Sequence, residues 1–241
     1  MVAVSTFCLI HGAYHGAWCW HEVTTELRAR GHDVVAPDLP AHGVDTTPPT
    51  ETTLSGYVEA VHEAIDGREG PVVLVGHSMA GMVITEFAER YPDAVERLVY
   101  LTAYLPADGE SMVDQRVEGS LISRHFSVDE QRGVGTIDDD ALEELFYADC
   151  SAEKIELARS LVRPEPLEPL STPVDLSEAR FGGVSRVYVT CRDDRAITFE
   201  QQREMVDDRG CDAVLSLEAS HSPFLSVPTE TAETLLAASK R

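Results

Sequence analysis

Short apolar runs alternate with amphipathic stretches along most of this chain. Thr6–Ile10, Val34–Ala36, Pro71–Val75, Val95–Tyr100, Val184–Thr190 and Ala213–Leu217 read as strands. Between them, Trp18–Arg30, Leu54–Ile65, the stretch from Met82 to Tyr91, and Phe199–Asp208 read as helices, and a last helix starts near Pro228. Gly31 and Gly67 end the first two. Buried strands alternating with amphipathic helices predict an α/β fold: a mainly parallel central sheet with helices on both faces.

The rhythm breaks after Tyr104-Leu105-Pro106. From Ala107 to Ala179 no strong strand is evident, and acidic helical pieces (Asp138–Tyr147, Ala152–Leu161) alternate with Gly- and Pro-rich segments. Arg163-Pro164-Glu165-Pro166 reads as a helix breaker. Leu142, Leu145, Phe146, Ile155, Leu157 and Leu161 give this segment something to pack. The expectation is a core of residues 1–106 and 180–241 carrying an inserted, mainly helical cap of residues 107–179, all in one structural domain. A length of 241 residues suits that plan.

The run Pro71–Val75 leads straight into Gly76-His77-Ser78-Met79-Ala80-Gly81, and a helical pattern follows. A strand that breaks abruptly into a helix can hold one serine on a sharp turn, its hydroxyl exposed above the sheet. The residues two before and two after must then be small. Gly76 meets that need. The second position is Ala80, with Gly81 one further on. By itself the stretch also reads as a serine N-cap opening an ordinary helix.

Serine needs a base to take its proton and a carboxylate to orient that base. In parallel sheets such groups sit just past the carboxyl ends of strands. Past Thr190 comes Cys191-Arg192-Asp193-Asp194-Arg195, and past Leu217 comes Glu218-Ala219-Ser220-His221-Ser222. The order serine, aspartate, histidine is that of the α/β-hydrolases. It makes Ser78 the expected nucleophile and His221 the expected base, with Asp193 and Asp194 both candidates for the acid. Asp38 reads as a turn residue. His11 and His15 are expected to shape their loop or the pocket, and His77 to point into the packing beneath Ser78. His21, His32, His42, His62 and His125 read as surface or turn histidines. Two backbone N–H groups should receive a developing oxyanion. One is that of Met79, after the nucleophile; the other is on the loop His11–Gly16, at Ala13.

Composition narrows the partners. With 42 acidic residues against 19 basic, the net charge of −23 repels nucleic acid and anionic membranes. No apolar run approaches membrane-spanning length. Five cysteines, an odd number with no zinc spacing, predict free thiols and a cytoplasmic setting, and no secretory leader is evident. Cys8 and Cys191 are expected to be buried. No metal and no organic cofactor is called for. A homodimer is admitted by the sequence but not required by it.

The residues so far carry a resemblance. His11-Gly12-Ala13-Tyr14-His15-Gly16-Ala17-Trp18-Cys19-Trp20, the elbow Gly76–Gly81, Leu157–Pro164 and Arg186 through Ile197 together resemble the α/β-hydrolases that comprise plant methyl esterases and hydroxynitrile lyases. The resemblance covers nearly the whole chain. It implies a helical cap over the serine, and it aligns Asp194, rather than Asp193, with the family's catalytic aspartate. The lyases of that family resemble each other in a threonine after the loop histidine and a lysine after the catalytic histidine. Here those positions are Gly12 and Ser222. Glycine offers no hydroxyl and serine no charge, so the resemblance points to a serine carboxylic-ester hydrolase rather than a cyanohydrin lyase.

The expected substrate is a small or aromatic ester. Gly12, Tyr14, Trp18, Leu105, Phe126 and Phe146 are the expected pocket residues. Between Ala107 and Asp149 Gly- and Asp-rich sequence replaces the bulkier plant residues, which separates this chain from plant substrates such as methyl salicylate. A slow-turnover ligand receptor is the reading from another class, since some relatives of the superfamily keep the triad and act that way.

Overall fold

The computed structural model describes residues 4–240. Nine strands lie along the described chain: β1 (Thr6–Ile10), β2 (Asp33–Val35), β3 (Val72–His77), β4 (Val95–Leu101), β5 (Phe126–Asp129), β6 (Val134–Ile137), β7 (Glu165–Pro166), β8 (Arg186–Cys191) and β9 (Ala213–Leu217). Six of them form one sheet in the order β2-β1-β3-β4-β8-β9, parallel throughout.

Side chains alternate across that sheet as the pleat requires. Phe7, Leu9, Val73 and Val75 pack with Val23, Leu27 and Leu235, from helices His21–Ala29 and Pro228–Ala238. Cys8, Ile10, Val72 and Leu74 face the other layer, with Val58, Val61, Val83 and Phe87 from helices Leu54–Ile65 and Ala80–Arg90. All six residues of β3 are buried because both faces are covered. Each fully buried Val, Leu or Phe stabilises the fold by about 1.5–3 kcal/mol. The helical breaks are where the sequence puts them. Gly31 and Gly67 follow their helices at φ +88 and +73, a conformation open to glycine. Thr53 Oγ1 accepts the Gly56 N–H at 3.0 Å to open the second helix. Trp18–Arg30 begins differently from the expectation, with a 3-10 turn over Ala17–Trp20 before the α-helix.

The segment 107–179 departs more. It holds short helices (Leu121–His125, Leu142–Phe146, Ala152–Leu161, Leu167–Ser171), but also an antiparallel sheet in the order β5-β6-β7. Strands were not expected there. Each is four residues or fewer, and β5 is not clearly alternating, since only its ends are half-buried. β7 is built from the breaker itself, which an edge strand tolerates because Pro166 need not donate to a neighbour.

Cys8 and Cys191 are buried, and all five cysteines are free. Among the described residues no helix is long and apolar enough to cross a membrane.

Candidate active site

The chain leaves β1 toward β2 on one side and leaves β3 toward β4 on the other. Loops at the carboxyl ends of these two neighbours therefore diverge and open a crevice, where parallel sheets bind ligands. The loop His11–Gly16 and the turn after β3 meet there. A side chain at Gly12 would bring its Cβ within 2.8 Å of His77 Nδ1 and 2.9 Å of Ser78 Cβ, so only glycine lets the loop lie this close.

Ser78 has φ +53, the left-handed conformation that a non-glycine residue adopts at a strained turn. The strain is held from both sides. A Cβ at Gly76 would meet the Ala80 carbonyl oxygen at 2.7 Å, and one at Gly81 would collide with the Tyr104 carbonyl. The Ser78 carbonyl accepts the Tyr104 N–H at 3.1 Å and the Gly81 N–H at 3.0 Å. Glycine is thus demanded at 76 and 81, and the buried methyl of Ala80 fits between them.

His221 follows β9. Its Nε2 lies 3.1 Å from Ser78 Oγ and its Nδ1 2.7 Å from Asp194 Oδ2. Exposures are 9 % for Ser78, 2 % for His221 and 5 % for Asp194, so the line of groups is screened from bulk water but open at the serine end. Asp194 is fully used. Oδ1 accepts the N–H groups of Ala196 (2.7 Å) and Ile197 (3.0 Å), and Oδ2 accepts the hydroxyl of Thr102 as well as facing His221. Asp193 is exposed, and its N–H is spent on the Ala219 carbonyl. An imidazole held between a hydroxyl and a buried carboxylate can accept the serine proton and pass it on.

Two more histidines brace the site. His77 Nε2 donates to the carbonyl of His221 at 2.8 Å, and their rings lie 4.7 Å apart. It therefore anchors His221 as well as filling the space beneath the serine. His15 Nδ1 donates to the Ala13 carbonyl at 2.7 Å while Nε2 accepts from the Tyr147 hydroxyl at 2.9 Å. Burial lowers its pKa to about 4, and burial drives His77 and His11 well down too, so all three stay neutral. No hydrogen bond among the described residues uses the N–H of Ala13 or of Met79. Both residues line the same cavity as Ser78.

Next to Ala13, Tyr14 is left-handed (φ +67) and donates its N–H to Glu165 Oε2 at 2.9 Å. Glu165, from β7, has no exposure and also meets His42 Nε2 at 2.8 Å and the Tyr57 hydroxyl at 3.2 Å. Burial works against a charge on His42, but the adjoining carboxylate outweighs it, and the net direction of the His42 pKa is upward. His42 is therefore no surface histidine, although its backbone does lie in a turn, between the Leu39 carbonyl and the Asp45 N–H. Its carboxylate partner lies 123 residues away in sequence, which no local pattern reveals. His32 is also buried, its ring edge-on to Phe7. Asp38 lies in the loop after β2, just before the turn that begins at Pro40, and accepts the N–H groups of Ala17 and Val44.

A partly enclosed cavity lies over Ser78. Tyr14, Phe126 and Phe146 line it as expected. Three expected pocket residues do not. Gly12 sits under the elbow, Trp18 stacks on the far side of His15 at 5.5 Å, and Leu105 is buried in the second core layer. Their places are taken by Tyr104, Met112, Arg116, Ile122 and Leu170. Four of these come from the irregular segment after Pro106, where no period marks an inward face. Ser222 is wholly buried, and its hydroxyl has no partner among the described residues.

Comparison with known proteins agrees with this architecture. Residues 9–234 match the model of the "Alpha/beta hydrolase family". Methylesterase 2 of Arabidopsis thaliana is 32% identical over 96% of this chain and 94% of its own length. The crystal structure of a pyrethroid hydrolase from Sphingobium faniae JZ-2 superposes with a TM-score of 0.90 at 29% identity, covering 99% of this chain and 98% of that one. Tomato methylketone synthase I superposes with a TM-score of 0.86 at 26% identity, covering 99% and 98%. One scaffold thus carries differently named activities, and the family is shared where the reaction is not. A parallel sheet that matches along nearly its whole length, with a serine on the turn after β3, leaves one assignment: the chain belongs to the α/β-hydrolase family and is similar throughout to plant methylesterases.

Proposed function

We propose that this protein hydrolyses carboxylic esters through an acyl-enzyme on Ser78. The observation that carries the reading is the unbroken line Ser78 Oγ, His221, Asp194, with contacts of 3.1 and 2.7 Å, beside two unspent backbone N–H groups. His221 Nε2 takes the hydroxyl proton as Oγ attacks the ester carbonyl. The N–H groups of Ala13 and Met79 hold the oxyanion. The tetrahedral species collapses, the C–O bond to the alcohol breaks, and His221 returns the proton to the leaving oxygen. Water deprotonated by the same imidazole then attacks the acyl-enzyme and frees the acid and Ser78. Asp194 holds the ring's tautomer and stabilises its charged form. In this reading residues 107–179 act as the cap, and the mostly apolar cavity selects a small or aromatic ester.

Lyase chemistry is disfavoured by the same residues. A threonine at position 12 would press on Ser78 Cβ and His77 Nδ1, and the buried Ser222 supplies no positive charge for cyanide. A panel of p-nitrophenyl and methyl esters, with mandelonitrile alongside, tests the assignment. Ester turnover that vanishes in Ser78→Ala is expected. Cyanide release without ester turnover overturns it, and so does tight binding with slow single turnover.

A further inference from the structure

Among the described residues, Arg116 is the one formally charged side chain in the mostly apolar and aromatic lining of the cavity over Ser78, and no carboxylate lines it. The chain as a whole has more than twice as many acidic as basic residues. Arg30, Arg90, Arg195 and Arg209 each pair with a glutamate, whereas Arg186 stacks on Phe181 without an ion pair, much as Arg116 does on Phe126. Among the described residues the guanidinium of Arg116 has neither an ion pair nor a hydrogen bond to a protein acceptor. Its one defined contact is with the ring of Phe126, 4.5 Å from guanidinium carbon to ring centroid.

The stacking defines what the group can do. A guanidinium laid on an aromatic face keeps its in-plane N–H donors free at the edge. Phe126 lines the same cavity, so the pair forms one wall of it. The charge reaches the neighbouring phenols. Burial pushes the Tyr104 hydroxyl up to about 12, and Arg116 works against that rise; it acts the same way on Tyr14. Arg116 itself is half-buried, which strengthens a charge-assisted hydrogen bond over one in open water.

We propose that Arg116 is a specificity residue, and that the favoured substrates are esters bearing a second, ionised acid group that pairs with its guanidinium while Ser78 attacks the ester carbonyl. The inference rests on the esterase reading of Ser78 and adds the substrate class. A neutral ester of the same length leaves the arginine unpaired against the cavity wall. A guanidinium left unpaired at a partly desolvated wall is what lets such a site discriminate, by about ten-fold or more.

The test compares kcat/KM at neutral pH in two series. Monomethyl esters of dicarboxylic acids of graded length are set against methyl alkanoates of matched length. Acetoxy acids, which put the charge on the alcohol side, are set against matched alkyl acetates. In at least one series the anionic ester is expected to be preferred, with the anionic-to-neutral ratio falling about ten-fold or more in Arg116→Gln and partly kept in Arg116→Lys. A merely structural arginine lowers both esters together and leaves the ratio unmoved. An unmoved ratio in both series overturns the inference while Ser78-dependent cleavage of the neutral esters keeps the esterase reading. If the neutral esters are not cleaved in a Ser78-dependent way, both fall together.

Discussion

Two buried histidine–carboxylate pairs stand within this one chain, and they look alike up close. His221 meets Asp194 at 2.7 Å and His42 meets Glu165 at 2.8 Å, all four side chains shut from solvent. The difference lies in what each pair touches next. The outer nitrogen of His221 faces a serine hydroxyl in a strained turn. The outer nitrogen of His42 is spent on the Pro40 carbonyl, and Glu165 goes on to the Tyr14 N–H and the Tyr57 hydroxyl. A histidine paired with a buried carboxylate is therefore not in itself a catalytic signature. The first pair is open at one end to the Ser78 hydroxyl. The second is closed on every side and ties β7, in the 107–179 segment, to the loop that carries Ala13.

The largest effect expected from breaking this contrast is at the open end. Ser78→Ala should lower kcat for a responsive ester by about 10⁵–10⁶-fold without unfolding the protein, measured by steady-state kinetics beside a denaturation curve. Asp194→Asn comes next, with about 10⁴-fold lost in kcat, because an amide favours the wrong imidazole tautomer. Equal activity in wild type and Asp194→Asn would remove the aspartate from the mechanism. The closed pair should answer in stability. Glu165→Gln leaves a buried histidine without its carboxylate and should cost about 3–5 kcal/mol in urea unfolding. Its kcat should fall far less than that of Asp194→Asn, and the reverse ranking would contradict the division of roles.

Per group, the smallest effect is in pH. His11, His15 and His77 have pKa values below the unfolded 6.5, so the unfolded chain takes up protons that the folded chain refuses. The stability they contribute is full above 6.5 and falls as pH drops, for His15 until about 4. From pH 6.5 to about 5, before carboxylates titrate, each should cost up to about 1.4 kcal/mol per pH unit. His42 has the opposite sign. Its pairing stabilises below the unfolded 6.5, and that stability is lost as pH rises through its raised folded value. Unfolding curves across this range, in wild type and Glu165→Gln, should differ on the alkaline side, where the variant has no such loss.

How much of this could be read beforehand follows from the range of the interactions involved. The centre of the sheet was legible because Val72–Val75 must be apolar on both faces, a local demand. Ser78 and His221 were legible because each follows a strand, and strands are local too. Asp194 was separated from Asp193 by family resemblance; in the fold, the N–H groups of Ala196 and Ile197 turn its carboxylate inward. Glu165 was hidden inside a breaker signal. Its burial depends on Tyr14, His42 and Tyr57, which lie 151, 123 and 108 residues away. Arg116 and Tyr104 were hidden for the same reason, since nothing near either in sequence marks an inward face. Trp18 misled the pocket reading because an aromatic beside a glycine-rich loop can pack behind the loop as readily as in front of it.

The account stands or falls on a covalent bond at Ser78. Intact-mass and peptide-mapping measurements after incubation with a fluorophosphonate test that most directly. One adduct per chain is predicted, on Ser78, absent from Ser78→Ala and formed much more slowly in His221→Ala. An unlabelled Ser78 in folded protein, or a label on another residue together with ester hydrolysis that survives in Ser78→Ala, would contradict it.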